Sequence, residues 1–209
     1  MKLECIVPDG MAANCYILKD GKGNAALFDP GAESMDILDS VKGLNLEYII
    51  LTHGHYDHIL GVDAVKKAHP EARIVFPASE MKCLEDGKYS LTAYQGMKQP
   101  SFRPDILVRD GDTFDFSGEE FLVISTPGHT EGGTCYYLKK EGLLFSGDTL
   151  FRLGYGRTDF PGGNENELIR SLSRLCKLPG DTKVYPGHGP STTIDFEKRN
   201  NSLMRLTLC

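Results

Sequence analysis

Apolar and polar positions alternate in short blocks along most of the chain. Cys15-Tyr16-Ile17-Leu18 and Ala25-Ala26-Leu27-Phe28 read as two strands, and the turn-rich Asp20-Gly21-Lys22-Gly23-Asn24 between them makes a hairpin. Asp29-Pro30-Gly31 breaks the pattern. From Ser34 to Leu44 the apolar residues Met35, Leu38, Val41 and Leu44 return at helical spacing, with Gly43 near the stop. Tyr48-Ile49-Ile50-Leu51 is a further strand. Val62 to Ala68 reads as a short helix halted by Pro70, and Ile74-Val75-Phe76 as another strand. Between Ala78 and Pro104 the pattern weakens to one helix near Ser79–Leu84 and a long excursion.

Strand signals resume at Ile106-Leu107-Val108 and at Phe121-Leu122-Val123-Ile124. A second hairpin follows, Cys135-Tyr136-Tyr137-Leu138 and Leu143-Leu144-Phe145 joined by Lys140-Glu141-Gly142. Asn164 with Glu167 forms a capping box ahead of Leu168, Ile169, Leu172, Leu175 and Cys176, an amphipathic helix. Lys183-Val184-Tyr185 is the last strand, and Asp195 to Leu206 reads as helical. This order predicts an α/β (α+β) fold of two sheets with helices outside, formed by residues 1–209 as one domain.

The polar residues just after four of these strands change the picture. Thr52-His53-Gly54-His55-Tyr56-Asp57-His58 follows the strand at Tyr48, and His129, Asp148 and His188 each follow a later one. Five of the six histidines fall in this pattern, and only His69 lies outside it. Imidazole and carboxylate bind borderline divalent ions such as zinc, and a short loop can aim several of them at one point. His53 and His55 alternate along an extended segment and can reach one ion together with His129. Asp57 and His58 can reach a second with His188, leaving the two oxygens of Asp148 to bridge the pair. Two ions about 3.5–4 Å apart are a recurrent device for activating a water between them. No Gly-x-Ser-x-Gly elbow is present to suggest a serine nucleophile.

Composition narrows the partners. The net charge of −6 disfavours a nucleic-acid partner, which a basic stripe usually announces. No apolar run approaches the length of a membrane span, and the N-terminal residues carry no signal-peptide pattern. The six cysteines are scattered without CxxC pairs, so the expectation is a cytoplasmic protein with reduced thiols, Cys15 and Cys135 serving as small buried hydrophobes.

The pattern His-x-His-x-Asp-His, with later His, Asp and His each after a strand, resembles the metallo-β-lactamase fold hydrolases. Asp29-Pro30-Gly31, Thr126-Pro127-Gly128-His129-Thr130, Gly147-Asp148-Thr149-Leu150-Phe151 and Gly156-Arg157-Thr158-Asp159 are most similar to the short bacterial members of the glyoxalase II branch. The resemblance implies a four-layer αββα sandwich and hydrolysis of a small-molecule thioester such as S-D-lactoylglutathione by a metal-bridging hydroxide. It also implies two divalent metal ions, zinc by preference with iron or manganese as alternatives. His53, His55, His129 and Asp148 would hold one ion, and Asp57, His58, His188 and Asp148 the other. Asp57 is the candidate catalytic residue, orienting the hydroxide.

Glyoxalase II proper adds a basic C-terminal helical domain. Here only the last helical segment, with Lys198, Arg199 and Arg205, stands in that region. Arg157 is then the candidate substrate contact, with Tyr155 and Phe151 lining the groove; the bland alternative is that Arg157 pairs with Asp159. The main rival function is an iron-dependent persulfide dioxygenase on the same fold, which shares Gly156-Arg157-Thr158-Asp159. A β-lactamase, a ribonuclease, a flavodiiron reductase and a non-catalytic binding module fit the residues less well.

Overall fold

The computed structural model describes residues 1–8 and 12–206, and the chain divides into two compact units, residues 1–108 and 109–209. Each unit is built on one six-stranded mixed sheet.

The first unit orders its strands as they occur in the chain: β1 (Lys2–Ile6), β2 (Cys15–Lys19), β3 (Asn24–Phe28), β4 (Asn45–Ile50), β5 (Arg73–Pro77) and β6 (Ile106–Val108). The first three are antiparallel, and the pairs from β3 to β6 are parallel. The β2–β3 hairpin forms as expected. The Asp20 carboxylate closes its turn by accepting from the backbone N–H groups of Lys22 and Asn24 at 2.7 and 2.9 Å, the local bonding that makes aspartate a turn former. Parallel neighbours need crossovers. These carry α1 (Met35–Val41), then α2 (Tyr56–Ile59) and α3 (Val62–Ala68), and finally α4 (Met81–Glu85) and α5 (Thr92–Gln95). Strand β1 was not anticipated, because an edge strand half open to solvent carries little apolar signal.

Alternate residues of these strands share a face. Ile17, Ala25, Leu27, Ile49, Ile74 and Phe76 pack in this way against Ile37, Val41, Ile59, Val62 and Val65 of the helices. Helix α1 departs from expectation in one respect. Met35, read as part of its apolar face, is 67% exposed, while Ile37 and Val41 are fully buried. Ser34 caps the helix by accepting from Asp36 N, so Met35 sits in the first turn and points away from the sheet.

The second unit contains β7 (Thr113–Phe116), β8 (Glu119–Ser125), β9 (Thr134–Leu138), β10 (Leu143–Gly147), the two-stranded ribbon β11 (Leu150–Phe151) and β12 (Gly154–Tyr155), α6 (Glu165–Leu175), β13 (Lys183–Pro186), β14 (Thr192–Thr193) and α7 (Ile194–Asn200). Its sheet order is β14-β13-β10-β9-β8-β7, antiparallel except for the β10–β13 pair, whose crossover includes α6. Leu168, Leu172, Leu175 and Cys176 of the α6 region cover Ile124, Tyr137, Leu144 and Val184 of the sheet.

The predicted cap forms, with Asn164 accepting from Glu167 N at 3.1 Å. The Asn164 backbone N–H donates to Gly128 O at 2.7 Å rather than to the Glu167 side chain. The tail is not one helix: Asn201 ends α7, turns its side-chain oxygen to Leu203 N and Met204 N, and ties its amide to Gly154 O and Glu197. Cys5, Cys15, Cys83 and Cys135 are free thiols, with Cys15 and Cys135 fully buried as expected. Cys176 is disulfide-bonded, against the expectation of reduced thiols throughout; scattered spacing in sequence says little about which cysteines the fold brings near each other. Among the described residues no helix is long and apolar enough to cross a membrane.

Candidate functional site

In the first unit, β4 ends at Ile50 and the chain runs extended through His53 and His55 before α2 begins at Tyr56. All three histidines of this stretch are buried. The His53 ring lies 4.8 Å from that of His55 and 4.0 Å from that of His58, centroid to centroid. His53 Nε2 and His55 Nδ1 approach to 3.2 Å. Two nitrogens each about 2.1 Å from a tetrahedral zinc lie about 3.4 Å apart, so this spacing suits a shared ion. Asp57, in the first turn of α2, brings a carboxylate oxygen to 3.9 Å from His58 Nε2.

Asp29 organises the other sides of these rings. Its carboxylate accepts from Thr52 N at 2.8 Å and from Thr52 Oγ1 at 2.7 Å, and lies 3.0 Å from His58 Nδ1. A hydroxyl has one proton. With that proton given to Asp29, Thr52 Oγ1 accepts from His53 Nδ1 at 3.2 Å, which leaves the His53 lone pair on Nε2. An oxygen behind each imidazole is the usual way a ligating histidine has its tautomer and direction set. Close packing fixes the backbone too. A side chain on Gly31 would meet Asp57 O at 1.6 Å, and one on Gly54 would meet Cys83 Cβ at 2.3 Å.

In the second unit the donors come from three strand ends. His129 follows β8, Asp148 follows β10 and His188 follows β13. His129 Nε2 and His188 Nε2 lie 3.5 and 3.6 Å from the same atom, Asp148 Oδ2. His129 Nδ1 is 2.7 Å from Arg157 O. A carbonyl can only accept, so Nδ1 carries the proton and, in a neutral ring, Nε2 presents its lone pair to a carboxylate oxygen. Two electron-rich atoms facing each other at that distance suit a cation between them. Gly156 makes the approach possible: a side chain there would lie 1.9 Å from Asp148 O and 2.9 Å from His129 Nδ1.

The remaining expected residues divide. Phe151 packs edge-on against the His188 ring at 6.0 Å, and Tyr155 packs on the second unit's core. The Arg157 guanidinium makes two 2.6 Å bonds to the Asp159 carboxylate and stacks over Phe160, which holds Asp159 down to a pKa of about 2. His69 closes α3 and belongs to none of the described His/Asp groups that can hold a metal; His53, His55, Asp57, His58, His129, Asp148 and His188 do. Sequence reading missed two carboxylates. Asp29 was visible at a strand end but had no assigned role. Glu80, buried and accepting from Gly54 N at 2.8 Å, lies in the excursion where the apolar pattern gives out.

A family model described as the metallo-beta-lactamase superfamily matches residues 8–188. The chain belongs to the metallo-β-lactamase superfamily. This superfamily member is 34% identical to the hydroxyacylglutathione hydrolase GloC of Haemophilus influenzae, over 98% of each chain. It is 35% identical to a "probable metallo-hydrolase" of Streptococcus pyogenes, over 90% of this chain and 84% of that one. Among solved structures it resembles the BLEG-1 B3 metallo-β-lactamase, with a TM-score of 0.91, 34% identity and 97% and 99% of the two chains covered. It also resembles TTHA1623 in a di-iron-bound form, with a TM-score of 0.82, 32% identity and coverage of 95% and 98%. The metallo-β-lactamase fold expected from the histidine pattern is therefore the fold of this chain, and it is a metallo-hydrolase family member with a His/Asp metal-binding set.

Proposed function

We propose that this superfamily member is a dinuclear metal-dependent thioester hydrolase of the glyoxalase II kind, acting in the cytoplasm on S-lactoylglutathione or a related small-molecule thioester. The observation that carries the reading is the matched pair of donor sets. One loop supplies His53, His55, Asp57 and His58, three strand ends supply His129, Asp148 and His188, and oxygens stand behind His53, His58 and His129. We assign His53, His55 and His129 to one ion, Asp57, His58 and His188 to the other, and Asp148 to both, with both units acting as one domain. The identity with the Haemophilus influenzae hydroxyacylglutathione hydrolase over nearly the whole length supports this substrate class. The di-iron relative supports iron beside zinc as the metal.

When bound, such ions lower the pKa of a water toward neutrality and stabilise negative charge on a carbonyl oxygen. The chain's own part is to hold and aim. Asp57 would accept a hydrogen bond from the attacking hydroxide and fix its direction toward the carbonyl. Phe151, against His188, forms an apolar wall that keeps bulk water from that side.

The test is metal analysis followed by turnover of S-lactoylglutathione, other thioesters, a lactone and glutathione persulfide by zinc-loaded and iron-loaded protein. Two ions per chain and preferential thioester hydrolysis are expected, with Asp57→Asn reducing turnover by orders of magnitude while much of the metal is kept. One iron per chain with oxygen-dependent persulfide turnover would replace the hydrolase with a persulfide dioxygenase.

A further inference from the structure

Glu80 is fully inside the first unit, 1% exposed, in the single turn of 3-10 helix (Ala78–Glu80) that leads into α4. Burying a carboxylate costs free energy unless its oxygens are hydrogen-bonded. This one accepts from the backbone N–H of Gly54 at 2.8 Å and from the Cys83 thiol at 3.2 Å on the same oxygen, Oε2. Gly54 is the residue between His53 and His55.

That residue lies outside any helix or strand, between β4 and α2. Two residues on, Tyr56 N donates to Ser90 O at 2.8 Å. The excursion from Ala78 to Gln99 therefore grips the histidine loop at two alternate backbone positions. It is itself tied by Gln99, which joins Ser90 and Thr92 at its oxygen and the Cys83 carbonyl at its nitrogen. From below, Cys83 fills the space where a Gly54 side chain would stand.

We propose that Glu80 is a positioning residue for the metal-binding loop. By accepting from Gly54 N–H it fixes the His53–Gly54 peptide plane, and through it the 3.2 Å approach of the His53 and His55 nitrogens. It acts through the backbone between the two ligands. The proposal rests on the metal-site reading of His53 and His55, but not on the identity of the substrate.

What matters for positioning is reach, not charge, and two substitutions separate them. Glu80→Gln keeps the length and an oxygen acceptor while removing the charge. Glu80→Asp keeps the charge but withdraws the oxygen by one methylene. Affinity for zinc is measured by chelator competition on each full-length protein, with thermal unfolding of the metal-free form as the fold check. The absorption spectrum of the cobalt-substituted protein reports ligand geometry independently of turnover.

Loss of an outer partner of a metal ligand typically costs about 10–100-fold in affinity. Glu80→Asp is expected to fall in that range and to shift the cobalt bands, and Glu80→Gln to stay within about threefold of the parent with the parent spectrum. A loss confined to Glu80→Gln would show that charge is what counts and overturn the proposal, and equal losses in both variants would overturn it as well. So would an unchanged Glu80→Asp, or a variant whose loss of stability leaves the cobalt spectrum as it was. Absence of metal binding by the parent protein would instead remove the site reading on which the proposal stands.

Discussion

Asp29 shows how much one carboxylate can organise. It sits at the end of β3 with φ of 47°, a conformation unusual outside glycine but tolerated by aspartate. From there it serves Thr52 twice and lies against His58. Asp29→Ala should therefore lower metal affinity by about 10–100-fold, measured by competition with a chromophoric chelator. Retained affinity would mean that His58 is aimed by other contacts. Arg157 illustrates the opposite case, a charge whose partner is at hand. The Asp159 carboxyl, held down to about 2 by the Arg157 hydrogen bonds, has a lowered folded pKa. Any contribution of this pair to stability is thus present above the ordinary aspartate range and is lost as pH falls through about 2. Both side chains are exposed, so that contribution is small. In Arg157→Ala the Asp159 titration, followed by NMR, should return toward the ordinary value, with little change in melting temperature.

At the level of elements, the strands that deliver the donors were legible because each apolar run is followed within a few residues by His or Asp. Helix α6 was legible from Asn164 at its start and from the spacing of Leu168, Leu172 and Leu175, three leucines that are buried. Strands β1, β7, β11, β12 and β14 were not, since each is short or lies at an edge and lacks a two-sided apolar signal. The His and Asp residues that the fold gathers into groups able to hold a metal were readable from spacing alone. Their outer partners were not: Glu80 reaches Gly54 across 26 positions, and only the fold sets that separation. The loop after β12 carries a sharp test of element packing. Gly156→Ala would force a methyl into the Asp148 carbonyl, a backbone atom that cannot swing aside. Overpacking of this kind costs about 1–3 kcal/mol, and displacement of Asp148 or His129 should weaken metal binding along with stability. A variant with parent melting temperature and parent metal affinity would contradict that placement.

For the whole molecule, ions held as proposed would be part of the folding equilibrium. A ligand held only by the native state stabilises it by about 2.7 kcal/mol at a free concentration a hundred times its dissociation constant. For a chain of this size that corresponds to roughly 5–10 °C in melting temperature. Chelation followed by calorimetry should show such a drop, reversed by adding zinc or iron. A melting temperature indifferent to chelator would place the His/Asp set outside any tight metal site.

The two donor sets also differ in how far apart in the chain their members lie. His53 to His58 span a single loop, whereas His129, Asp148 and His188 meet only after β13 has crossed α6 to pair with β10. Contacts between near neighbours close quickly, and those across a long crossover close late. During refolding the first loop should be able to catch an ion before the second set exists to share it. Uptake of metal by a refolding chain is then expected in two phases, a fast weak capture and a slower tightening that keeps pace with completion of the second sheet. A chain refolded under excess metal thus risks being held with the ion on the first loop alone, so supplying the metal after folding should give the higher yield of active protein.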